Sequence, residues 1–229
     1  MTAWFGWIAV LFLSVGCATS EDRALTSKTM VDIKVHKTMV EGSELHYLEA
    51  GADSSHVVLF LHGARFSKDT WKELGSLEFF ARRGYRAIAV DLPGYGASAK
   101  SRLEPVRFLA ALFDELRLDP CVLVSPSMSG RYSLPFVATH ASRLRGFVPV
   151  APAGISHHAS ALRGSTVPTL IVWGSEDRVF PVQGAATLAG LFEHAKVEIL
   201  DGARHPCYLD QPERFHQVLL DFLAGCFED

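Results

Sequence analysis

Three residues in the second half of the chain have the types that nucleophilic acyl chemistry requires: Ser127, Asp177 and His205, in that order. A serine hydroxyl is a weak nucleophile at neutral pH. It attacks an acyl carbonyl once an imidazole takes its proton, and a carboxylate behind the imidazole holds the ring in the right tautomer and steadies its charge. The order serine, acid, histidine separates one serine-hydrolase architecture from the others.

The nucleophile is chosen by what flanks it. A serine between a buried strand and a helix sits on a tight, strained turn, so the residues two before and two after it must be small. In Ser125-Pro126-Ser127-Met128-Ser129-Gly130, the flanks are Ser125 and Ser129 for Ser127, but Leu123 and Ser127 for Ser125, and Ser127 and Arg131 for Ser129. Only Ser127 satisfies the requirement, with serine where glycine is usual. A polar turn with Ser127 as a helix cap has the same spacing, so the acid and the histidine carry the argument further.

Asp177 closes Gly174-Ser175-Glu176-Asp177 after one apolar run, and His205 closes Gly202-Ala203-Arg204-His205 after the next. Glu176 and Asp201 are the rival acids; the last position of the tight turn favours Asp177. His62 is the rival base, but in His62-Gly63-Ala64 it reads as scaffold for an oxyanion loop. The backbone N–H groups of Ala64 and Met128 are the candidate oxyanion donors. The remaining histidines, including His157 and His158, read as surface residues. Cys207 follows His205 by two residues and has no activating base of its own, which suits a packed, inert thiol.

These residues must be brought together by the elements between them. Short β-rich apolar runs at 57–61, 85–90, 121–124, 147–150, 167–173 and 196–200 alternate with helical spacing at 68–82, 106–116, 128–140, 183–192 and 211–224. A hairpin over 31–40 and 44–49, turning at Glu41-Gly42-Ser43, precedes them at one sheet edge. Such alternation predicts an α/β fold: a mostly parallel central sheet with helices on both faces and a ligand crevice beyond the carboxyl ends of the strands. The serine, the acid and the histidine each follow one of those strands. Only about 16 residues separate Ala151 from Pro168. That leaves room for little or no lid and predicts an open, shallow site.

At 229 residues, 48% hydrophobic, 21% charged and with a net charge of −3, the chain suits one domain and shows no basic surplus for nucleic acid. Its four cysteines have neither zinc-ligand spacing nor the pattern of a disulfide framework, so no metal is expected. Residues 1–17 read as a signal or anchor segment. The apolar run from Trp4 to Val15 is short for a membrane span of about 20 residues, and Leu13-Ser14-Val15-Gly16-Cys17 resembles a bacterial lipoprotein signal with Cys17 as the lipidated residue. Ser14 stands where such signals carry leucine, and no Lys or Arg precedes the run. A short signal anchor, or a true start at Met30 with a cytoplasmic product, are the alternatives to export. Residues 18–30 read as a polar tether and 31–229 as the folded domain.

With these residues in place, the sequence resembles the alpha/beta-hydrolase domain-containing protein 14 family, closer to its B form. The likeness rests on Leu61-His62-Gly63-Ala64-Arg65-Phe66-Ser67, Gly84-Tyr85-Arg86-Ala87, Asp91-Leu92-Pro93-Gly94, the serine turn, Gly146-Phe147-Val148-Pro149-Val150-Ala151-Pro152 and His205-Pro206-Cys207-Tyr208-Leu209. The resemblance covers about 31–225. It implies the α/β-hydrolase fold, the set Ser127, Asp177 and His205, hydrolysis of small acyl esters or acylated substrates, and coenzyme A as an acyl acceptor in a related transfer from acylated lysine. No other cofactor is implied. Arg204 stands where the resemblance leads us to expect glycine. A non-catalytic binding protein on the same scaffold is the reading from a different class; the complete serine, acid and histidine set argues against it.

Overall fold

The computed structural model describes Met1, residues 30–118 and residues 120–228. The chain divides into Met1–Met30 and Val31–Asp229. Cys17, the apolar run and all of the tether but Met30 lie outside the described residues. Among the described residues no helix is long and apolar enough to cross a membrane.

Strands β1 (Lys34–Val40) and β2 (Ser43–Ala50) pair antiparallel. Their two-residue loop, Glu41-Gly42, has positive φ at both positions (46° and 79°), the turn whose twist matches that of a hairpin. β2 then pairs antiparallel with β4 (Arg86–Val90). From β4 onward every pairing is parallel, through β3 (Val57–Phe60), β5 (Cys121–Pro126), β6 (Leu144–Val150), β7 (Thr169–Gly174) and β8 (Ala195–Leu200). The eight-stranded order is β1-β2-β4-β3-β5-β6-β7-β8. This is the mostly parallel sheet that the alternating runs imply, with the hairpin at its edge.

The period-2 rule divides the strand side chains between two cores. Leu59, Ile88, Leu123 and Ile171 face α3 (Pro105–Leu116), α4 (Gly130–Thr139), α5 (Ile155–Leu162) and α6 (Gln183–Ala189). Val58, Phe60, Val122 and Val172 face α1 (Asp69–Glu73), α2 (Ser76–Ala81), α7 (Cys207–Asp210) and α8 (Pro212–Phe227). The central strands are buried on both faces, which is why they read as unbroken apolar runs.

Two expectations change, and one helix is added. The helix expected over 68–82 is two helices, because Gly75 takes a left-handed φ of 71° between α1 and α2. The stretch between β6 and β7 has no separate lid; it folds into α5, a single helix of 8 residues that sequence spacing did not reveal. His216 is not a surface residue. It lies in α8 at 5% exposure, stacked on Phe79, with its Nε2 2.8 Å from Ser76 Oγ.

Burial pushes the His216 imidazole down to about 4. In the unfolded chain it takes a proton near pH 6.5, and in the folded chain only near 4. Stability therefore falls as pH drops through that window, by at most about 3 kcal/mol. Urea midpoints measured between pH 7 and 4 should show a flatter dependence in His216→Gln; parallel curves would assign the acid sensitivity to other groups.

Candidate active site

The crevice is built from four strand ends on one edge of the sheet. β5 delivers Ser127 directly after Pro126, at the head of a 3₁₀ turn that leads into α4. Ser127 has φ 52°, a left-handed conformation that a residue with a Cβ adopts only under local strain, and this turn lifts its hydroxyl clear of the strand. Its carbonyl is anchored by the Ala153 N–H at 2.8 Å.

The turn is held from below by serines. Ser129 Oγ donates to the Pro126 carbonyl at 2.7 Å, Ser125 Oγ lies 2.9 Å from Ser129 Oγ, and Ser133 Oγ lies 2.6 Å from Ser125 Oγ. Because Ser129 has used its proton on the carbonyl, the chain has one consistent direction: Ser133 donates to Ser125 and Ser125 to Ser129. All three hydroxyls are fully buried, so each bond also avoids the cost of an unpaired polar group. The serines that replace glycine at the flanks thus bond to each other across the turn instead of crowding it.

β7 and β8 deliver the acid and the histidine, and their loops are laced together. The Glu176 N–H bonds to the Ala203 carbonyl at 2.9 Å, and the Ser175 N–H to that of Leu200 at 3.0 Å. Gly174 permits the approach, since a Cβ there would stand 2.3 Å from the Ala203 carbonyl oxygen. The result is a continuous line of groups: His205 Nε2 lies 2.9 Å from Ser127 Oγ, and His205 Nδ1 lies 2.7 Å from Asp177 Oδ2. Asp177 has a side chain 1% exposed and His205 one of 11%. The other Asp177 oxygen, Oδ1, accepts the N–H groups of Val179 and Phe180 at 2.8 and 2.9 Å. The Phe180 ring meets the His205 ring edge-on, with centroids 5.5 Å apart.

The rivals lie elsewhere. Glu176 is exposed, and Asp201, also exposed, accepts from Ser175 Oγ at 3.2 Å. His62 is buried with both nitrogens committed: Nδ1 donates to the Gly63 carbonyl at 2.8 Å and Nε2 accepts the Leu92 N–H at 2.9 Å. Burial pushes its pKa down, in keeping with the neutral ring that this pair of bonds requires. The Cys207 thiol is pushed up to about 12, first by burial and then by the Asp177 charge, so it is no thiolate at neutral pH. Arg204 turns outward to Asp210, 2.7 Å away.

Both candidate oxyanion donors sit beside Ser127 in sequence or space. Met128 follows Ser127 at the start of a helical turn, where backbone N–H groups have no intrahelical partner. A Cβ on Gly63 would lie 3.5 Å from that of Ser127, so the Gly63-Ala64 peptide runs close beside Ser127. The Gly63 carbonyl is held by His62 and by the Phe66 N–H at 3.1 Å, which aims the Ala64 N–H to the opposite side of the planar peptide.

Residues 58–157 match the Alpha/beta hydrolase family profile, and residues 154–212 match a second profile described as alpha/beta hydrolase fold. Human ABHD14B, which is named for protein-lysine deacylation, is 45% identical over 203 residues, covering 81% of this chain and 93% of its own. The chain belongs to the ABHD14 family. Mouse ABHD14A is 44% identical over 72% of this chain and 69% of its own. Among solved structures, a CIB-like hydrolase from Thermoplasma acidophilum superposes with a TM-score of 0.81 at 24% identity, over 86% of this chain and 100% of that one, and so shares the fold.

This ABHD14 family member also holds positioning residues that sequence reasoning missed. Asp91 is fully buried; its Oδ1 accepts the Lys68 N–H at 2.8 Å, and its Oδ2 accepts Lys68 Nζ and the Ala97 N–H, each at 2.9 Å. Burial opposes the Lys68 ammonium, but the Asp91 and Asp69 carboxylates together outweigh it and the pKa is raised. The pair ties the segment after β3, which carries Ala64, to the loop after β4. Asp91 stands in a post-strand run that the sequence marks, but its partner is 23 residues away and carries no signal of its own. Ser133 had one: 125, 129 and 133 recur at the spacing of a helical turn.

Proposed function

We propose that this chain is a serine hydrolase that cleaves acyl esters and other acylated substrates through an acyl-enzyme on Ser127. The observation that carries the reading is the line from Ser127 Oγ to His205 at 2.9 Å and on to Asp177 at 2.7 Å. His205 Nε2 takes the hydroxyl proton as Oγ attacks the acyl carbon, while Nδ1 keeps its proton and donates a hydrogen bond to the ionised Asp177 carboxylate throughout. The carbonyl oxygen becomes an oxyanion facing the N–H groups of Met128 and Ala64. Collapse expels the leaving group with the proton from His205, and water, activated by the same imidazole, releases the acid.

The stretch between β6 and β7 forms α5 with no inserted lid, which supports substrates whose acyl group is carried by something bulky, and an acylated lysine, the substrate type named for human ABHD14B, fits that description. Coenzyme A as acceptor belongs to the same reading, because its thiol competes with water for one acyl-enzyme. Rapid mixing with p-nitrophenyl acetate tests it. We expect a burst of p-nitrophenol equal to the enzyme present and an intact mass increased by one acetyl group on the Ser127 peptide. Coenzyme A that speeds the following steady phase would mark a transferase, and p-nitrophenol release with no acyl adduct at Ser127 would rule out the covalent route.

A further inference from the structure

An open apolar cleft lies between α5 and α6, with a volume of about 430 Å³, lined by Pro152, Ile155, Ala159, Trp173, Phe180 and Thr187 among others. None of its lining residues carries a charge. Grooves elsewhere differ: one is lined by Asp32, Lys34 and Glu49, and another by Lys196, Glu198, Arg214 and Asp221.

One wall of this cleft contacts His205 and Asp177, and another adjoins the residue that holds the Ser127 carbonyl. Phe180 places its ring edge-on to His205 and its N–H on Asp177 Oδ1. Pro152 precedes Ala153, whose N–H holds the Ser127 carbonyl, and it lies so close to α4 that a Cβ on Gly130 would come within 2.9 Å of it. The floor is Trp173, buried at 1% exposure, whose Nε1–H donates to the Phe180 carbonyl at 2.9 Å and so fixes that wall. α6 reaches the floor only because Gly184 has no Cβ; one there would stand 2.9 Å from the Trp173 ring.

We infer that this cleft is the acyl-chain subsite of Ser127 and takes straight, uncharged acyl chains of medium length. The inference rests on the acyl-enzyme reading above. An acyl group attached to Ser127 Oγ has its carbonyl oxygen directed to the Met128 and Ala64 donors and its leaving group toward His205, so its chain needs an apolar path next to both residues. The cleft bounded by Pro152 and Phe180 supplies one. Each methylene buried there favours the transition state by about fourfold.

The test measures kcat/KM of the full chain for p-nitrophenyl acetate, butyrate and octanoate, which differ only in the acyl group. Octanoate is six methylenes longer than acetate, and burial of only two of them already makes it exceed acetate by roughly tenfold or more. Thr187→Trp and Ser156→Trp, at exposed positions on opposite walls, should each lower the octanoate-to-acetate ratio by a similar factor while the melting temperature stays near that of the wild type. A wild-type ratio at or below one, or a ratio unmoved in both variants, overturns the subsite and leaves the hydrolase reading standing. A wild type that turns over none of the three esters overturns both.

Discussion

Ser127→Ala should lower kcat for p-nitrophenyl acetate by about 10⁶ while leaving the protein folded. The size follows from geometry. His205 Nε2 has Ser127 Oγ as its partner at 2.9 Å, and removing that oxygen takes away both the attacking atom and the proton the imidazole is placed to receive. Any residual rate comes from substrate held against the oxyanion donors and attacked by water, which in a comparable hydrolase still exceeds the uncatalysed rate by about 10³ to 10⁴. The fold should be spared because the φ of 52° is as costly for alanine as for serine, and because the buried bonds that hold the turn belong to Ser125, Ser129 and Ser133. Steady-state kinetics together with a urea melt would check both halves. A variant retaining wild-type kcat would move the chemistry to another residue, whereas one that unfolds would mean that the Ser127 hydroxyl supports the turn.

The sequence carried much of this site because the constraints that build it are local. A strained strand-to-helix turn admits only small flanks, so Ser127 could be told from Ser125 and Ser129 by reading two residues each way. Burial on both faces wrote the central parallel strands as continuous apolar runs, and the candidate residues were picked by their position after those runs and after the half-exposed β8. Constraints that depend on distant partners left no such trace. Lys68 and Asp91 form their buried pair across 23 residues, and nothing near either residue announces the other. His216 resembles any polar position on α8 until α2 brings Ser76 and Phe79 against it. The helix α5 was hidden because it is only 8 residues long: Ile155, Ala159 and Leu162 recur at helical spacing, but two turns of polar residues and two histidines give that spacing too little length to stand out. The cleft beside it is legible only in three dimensions, since its walls come from segments on either side of β7.

Asp177→Asn should lower kcat by about 10⁴, and the reason lies in which atoms can accept. Asp177 Oδ1 is claimed by the Val179 and Phe180 N–H groups, and Oδ2 receives the proton of His205 Nδ1. An asparagine has one acceptor oxygen. If that oxygen stays with the two backbone donors, the NH₂ faces Nδ1, which must then be unprotonated to accept from it. The ring proton moves to Nε2, and the nitrogen facing Ser127 can no longer take the hydroxyl proton. If the amide turns the other way, two backbone N–H groups meet an NH₂ in a site where the side chain is 1% exposed, and the loop must open. Either way the base is lost while its residue remains. Glu176→Gln and Asp201→Asn should change kcat by no more than a few fold, because the first side chain is exposed to solvent and the second is bonded to Ser175 at the surface. Measuring kcat for the three variants side by side assigns the acid: a large loss in either surface variant with activity kept in Asp177→Asn would transfer the role to that residue, whereas the opposite pattern identifies Asp177 as the carboxylate that makes His205 a base.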